Sequence, residues 1–140
     1  MSEKIFAEGY EEIKFEDKLI AIIIRKNFSS DKVVFFSPAE FSQQLGYLPY
    51  KKGHIINPHF HLKSDRNIQF TQEVLFIKKG KVHVKFYLEN KQFLKSTVLN
   101  AGDILFLCSG GHGFEIIEDS EIFEVKQGPY SGKERDKETF

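Results

Sequence analysis

The sequence predicts an all-β protein, and three features carry that expectation. Short apolar runs alternate with polar residues, the fifteen Phe and five Tyr are accompanied by no Trp, and polar turn clusters recur along the second half of the chain. Alternation sends every second side chain to one face of a sheet. Phe and Ile suit the half-buried, pleated surface such a sheet offers. Short strands at regular spacing favour a barrel or a double-sheet jelly roll, because closure removes exposed edges. With 140 residues and 41% hydrophobic content the chain fills one core. The expected organisation is one barrel with its N-terminal strands over 1–126, followed by a polar tail over 127–140. That tail is charged and poor in apolar residues from Ser131 to Thr139, so it is expected to be loose unless a partner chain orders it.

The elements follow in chain order. Ile13, Phe15 and Leu19 with Ala21-Ile22-Ile23-Ile24 read as two strands joined near Glu16-Asp17-Lys18, the second too apolar for a solvated edge. Asn27 to Lys32 is a polar turn, and Val33 to Phe36 a short strand. Ser37-Pro38-Ala39-Glu40 signals one short helix near 38–46, with Ser37 as N-cap and Pro38 at the first helical position. From Lys51 the pattern is nearly continuous β. Val74 to Ile77 and Val82 to Leu88 flank Lys78-Lys79-Gly80-Lys81, where the glycine allows a tight hairpin. Glu89-Asn90-Lys91 leads into Phe93 to Leu99, and Asn100-Ala101-Gly102-Asp103 into Ile104 to Leu107. Phe114 to Ile117 and Ile122 to Val125 end the series.

Charge and composition narrow the function. Twenty basic residues balance twenty acidic ones, so no net field draws the chain to a phosphate backbone or an anionic membrane. No nucleic acid and no membrane partner is expected. The apolar run Leu19 to Ile24 is too short to span a bilayer and the N-terminus lacks a secretory apolar region, which predicts a cytoplasmic protein. A single cysteine, Cys108, leaves His and carboxylates as metal ligands.

His59 and His61 stand two apart, which in a strand aims both imidazoles from one face toward one ion; the alternative is two histidines on a solvated face. They sit in a longer frame: Gly53, five residues, His59-Phe60-His61, later Glu73, six residues and Gly80. This frame resembles the first motif of the cupin family, G-x5-H-x-H-x(3,4)-E-x6-G. Gly102-Asp-Ile-Leu-Phe-Leu-Cys108-Ser-Gly110-Gly-His112 is similar to the second, G-x5-P-x-G-x2-H-x3-N. The resemblance covers about Lys51 to Val125. It departs from the family where eleven residues, Leu62 to Gln72, separate His61 from Glu73, which makes Asp65 a rival carboxylate. It departs again where Cys108 replaces the proline, one residue is missing before His112, and the Asn position falls at Ile116 or its neighbour.

The resemblance implies a cupin-type double-stranded β-helix holding a divalent transition metal, Fe, Zn, Ni or Mn, on His59, His61, Glu73 and His112, a suitable ligand set for such ions. It implies a small-molecule ligand or substrate and a homodimer, with Ile20 to Ile24 as the contact between copies. The function expected is a metal-binding protein, an enzyme acting on a small polar metabolite such as a sugar or a keto or hydroxy acid, with Glu73 and His61 as catalytic groups. Two alternatives stand beside it: a metal-free sugar-nucleotide isomerase or epimerase using His59 or His61 as base, and a small-ligand binder without turnover. The remaining candidates have plainer roles. Three glycines around His112 leave room beside its ring, and Phe114 shares its parity. His83 opposes Val82, Val84 and Phe86 and is expected outside the barrel, His54 on the surface, Phe60 in the core opposite its histidines, and Cys108 as a buried hydrophobe. Tyr47 and Tyr50 are read as packing residues or as caps of the mouth.

Overall fold

The structure, a computed structural model, describes residues 8–140. It is mainly β, a single curled antiparallel sheet shaped as a half-barrel with a small two-stranded sheet beside it. Strand β1 (Tyr10–Phe15) pairs with β2 (Lys18–Ile24), which pairs with β7 (Ile104–Leu107). The long β5 (Glu73–Tyr87) pairs with β7 through its first part and with β6 (Phe93–Asn100) through its second. On its other side β5 pairs along its length with β8 (Gly111–Lys126). The minor sheet is β3 (Val34–Phe35) against β4 (Gly46–Tyr47). No helix among the described residues is long and apolar enough to cross a membrane.

The two faces of the sheet bury separate clusters. On the concave face Ile13, Ile20, Leu75, Ile77, Val82, Val84, Phe86, Leu99 and Leu105 pack together. On the convex face Ile22, Ile24, Phe28, Phe36, Phe106 and Cys108 pack under the minor sheet and its loops. Strand β2 contributes to both clusters and has neighbours on both edges, which is why its run of isoleucines carries no polar alternation. The same placement corrects the expectation that Ile20 to Ile24 meets a second chain, since those side chains are already buried.

Gly80 determines the curvature. It was expected to close a hairpin; instead β5 runs through it, and the β5–β8 register shifts three times between Ile77 and Val82. Its φ is 95°, a left-handed backbone, and a Cβ there would lie 2.4 Å from the Asp119 carbonyl oxygen and 2.7 Å from Ser120 Cα. The result is a bulge at which both strands bend together. Segments read as separate, Phe114 to Ile117 and Ile122 to Val125, are therefore one strand, bent opposite Gly80.

Four further expectations are corrected. No helix forms over 38–46. Gln44 Nε2 donates to the carbonyls of Pro38, Ala39 and Phe41, the groups a helix would offer its own N–H donors, and Ser37 Oγ accepts from Leu45 N instead of capping a first turn. Nor does the chain continue as β from Lys51: residues 51–71 form an extended arm without strand, exposed at every position. Within that arm Phe60 is 86% exposed, not core. The polar tail is not loose. Residues Lys133–Asp136 form α1, Lys126 pairs with Asp136 at 3.2 Å and Lys91 with Glu138 at 3.0 Å, and the ring of Phe140 meets Tyr87 edge-on at 5.2 Å.

Candidate functional site

The bend at Gly80 creates the site. Glu73 begins β5 and His112 lies opposite Phe86 near its end. Along a straight strand those positions stand on the order of 40 Å apart. In the curled sheet His112 Nε2 lies 3.6 Å from Glu73 Oε2. Both side chains belong to the concave face. Glu73 has the parity of buried Leu75 and Ile77, and His112, Phe114 and Ile116 pair with buried Phe86, Val84 and Val82. Phe114 stands beside His112, ring centroids 5.5 Å apart, as its parity predicts. Gly110 permits the approach: its φ is 74°, and a Cβ there would stand 2.5 Å from the carbonyl oxygen of Tyr87.

The pair opens on a cleft of about 760 Å³ whose walls include Thr71, Tyr87, Leu107 and Gly113, with Lys137 and Phe140 of the tail opposite. Volumes of this size suit a small-molecule ligand. Burial pushes the Glu73 pKa up, and the hydrogen-bonded, like-charged Glu124 pushes it the same way, while Lys126 and Lys137 oppose the shift. Burial pushes the His112 pKa down, and the charge of Lys137 adds to this against the pull of Glu124. Both shifts work against a charged pair, so at neutral pH a neutral imidazole faces the carboxyl group and has a lone pair free to bind.

His59 and His61 lie on the arm, their rings 5.5 Å apart and 71° inclined. His59 Nδ1 lies 2.7 Å from the carbonyl oxygen of Asn57. A carbonyl only accepts, so Nδ1 donates this bond and Nε2 is the nitrogen left to bind an ion, the orientation found in ligating histidines. Among the described residues no group of three or more His, Cys, Asp or Glu side chains is gathered closely enough to hold a metal ion. The four expected ligands thus form two pairs in one chain, His112 with Glu73 and His59 with His61. Asp65, the rival carboxylate, is on the same exposed arm.

The other candidates are placed as follows. His83 stands on the convex face, 3.9 Å from Glu115. His54 is exposed and stacks on Tyr50, centroids 4.3 Å apart. Tyr47 packs edge-on against Phe28 at 5.2 Å. Cys108 is buried among apolar neighbours, and that burial pushes its thiol pKa up to about 12, which suits a packing residue and not a nucleophile. The tail residues that wall the cleft escaped the sequence reading. Their only signal there is the alternation of charge from Lys133 to Glu138 and the apolar end at Phe140.

Comparison with known proteins finds no matching family, no similar curated protein and no similar solved structure.

Proposed function

We propose that this chain is a cupin-like, metal-binding protein that takes a small polar metabolite in the cleft beside His112 and Glu73. The observation that carries the reading is the convergence of these two side chains at 3.6 Å from distant ends of one strand pair. The imidazoles of His59, His61 and His112 and the carboxylate of Glu73 are donors of the type a first-row divalent ion takes, and one chain holds them as two separate pairs. Such an ion, when bound, polarises substrate oxygens and stabilises negative charge that develops on them. The chain's own residues do the rest. Tyr87, Leu107 and Phe140 shield the cleft, Lys137 supplies a cation at its wall, and Glu73 acts either as ligand or as proton carrier, not both at once. Turnover of a sugar or a keto or hydroxy acid is compatible with this arrangement.

One observation favours a second reading. A neutral imidazole already facing a carboxyl group in a cleft is a proton-transfer pair that needs no metal. Metal content of protein purified without an affinity-tag metal step distinguishes the two. Near-stoichiometric metal is expected in the parent and in His83→Ala, and a loss of at least tenfold in His112→Ala. Metal-free parent protein after exposure to divalent ions would leave the proton-transfer reading in its place.

A further inference from the structure

The arm and strand β8 have complementary faults. Residues 51–71 are exposed throughout and carry Ile55, Ile56, Phe60 and Leu62 at 56–86% exposure. Apolar surface of that extent on one segment marks an interaction site. Strand β8 uses one edge on β5, and among the described residues its other edge pairs with nothing over Gly111–Lys126. An unpaired edge of that length is a template for another strand. Ile116, Phe123 and Val125 on this strand are 53–64% exposed.

Charge matches as well. The arm holds Lys51, Lys52, Lys63 and Arg66 against the single acid Asp65, whereas β8 holds Glu115, Glu118, Asp119, Glu121 and Glu124 against the single base Lys126. Glu115 and Glu118 also reach His83 and Lys81, at 3.9 and 3.5 Å, through well-exposed contacts that leave most of each carboxylate free for another partner. Opposite nets on two extended segments favour their pairing and oppose each segment pairing with itself.

Within one chain the arm does not pair with its own β8. Its returning limb borders two clefts: Asn67 to Phe70 line one with Asp17, Leu19 and Phe41, and Gln69 to Thr71 line the other with Glu73 and His112. The open edge of β8 is the one it does not use on β5. That edge is open to the arm of a second copy.

We infer that two copies of the chain exchange arms, the segment around His59–Lys63 of each adding a strand along the open edge of the other's β8. Aromatic side chains bury roughly 150 Å² or more each, and two reciprocal arms supply much of the about 1,200 Å² of a specific interface. The arm's alternation then has a ladder partner, with Phe60 and Leu62 on one face and His59 and His61 on the other. One consequence rests on the metal reading above: the arm histidines join His112 and Glu73 of the opposite copy, so each metal site is built from two chains.

Sedimentation equilibrium and chain mixing test this separately from the metal reading. The parent is expected at twice 16.3 kDa and the Phe60→Lys/Leu62→Lys variant at 16.3 kDa, with the far-UV circular dichroism of a folded β sheet. A monomeric parent, or a dimer that survives the variant, overturns the exchange whether or not metal binds. A His59→Ala/His61→Ala chain mixed with a Glu73→Ala/His112→Ala chain is then offered zinc. Exchange predicts about one zinc per mixed dimer where neither variant alone holds any, because one of the two sites has all its ligands intact. A parent dimer that binds zinc while the mixture does not would place the whole site in one chain and overturn the exchange. A parent dimer that binds no zinc leaves the exchange standing and removes the metal reading alone.

Discussion

Asp103 holds more of the sheet together than its place in a turn suggests. It is 3% exposed, and its carboxylate accepts hydrogen bonds from Arg25 Nη1 at 3.1 Å, Lys26 N at 2.9 Å and Asn100 N at 2.8 Å. Arg25 in turn donates to the carbonyl of Val98, to Thr97 Oγ1 and to Glu11. One carboxylate therefore ties the end of β2 to the turn between β6 and β7. Replacing Asp103 with Ala strands two backbone donors and a partly buried guanidinium, a loss of about 2–4 kcal/mol for charge-assisted bonds of this kind. Urea denaturation should give a lower midpoint by that amount, with Asp103→Asn losing less. The sequence marked Asp103 only as a turn residue, because its partner Arg25 lies 78 positions away and no local pattern announces the pair.

At the scale of elements, the legible parts were those fixed by local chemistry. The Glu89-Asn90-Lys91 and Asn100–Asp103 turns, the paired first strands and the opposite faces of Val82, His83 and Val84 are all found where turn residues and alternation place them. The illegible parts depended on distant competition. Gln44 removes the helix near 38–46 by taking its carbonyls, and the arm lacks a strand because a strand requires a ladder partner that one chain does not bring to it. Gly80 shows both sides: its positive φ was readable, but whether it turns the chain back or bends a continuous ribbon depends on β8 opposite. Gly80→Val forces a β-branched residue into a left-handed conformation against the Asp119 carbonyl. It should destabilise the protein by about 2–4 kcal/mol and lower metal affinity, since the bend is what brings Glu73 to His112. Thermal unfolding and zinc titration of the variant measure the two effects together; a variant with parental stability and affinity would show that the bend does not depend on this glycine.

At the scale of the whole molecule, half of the site was legible and half was not. The motif spacing singled out His112 and Glu73, which the fold unites at 3.6 Å, and paired His59 with His61, which the fold keeps on an exposed arm. Spacing within a chain reports which residues share a strand face and carries no information on how far an irregular segment reaches. The tail was missed for a related reason: its ion pairs, Lys91–Glu138 exposed and Lys126–Asp136 part-buried, and its aromatic edge at Tyr87 join residues that no local sequence pattern links. X-ray absorption at the zinc edge of the zinc-loaded protein reads whether His59, His61, His112 and Glu73 share one ion. The expected spectrum carries the multiple-scattering signature of three imidazoles with one or more oxygen ligands. A spectrum fitted by a single imidazole, or by none, would contradict a shared ion.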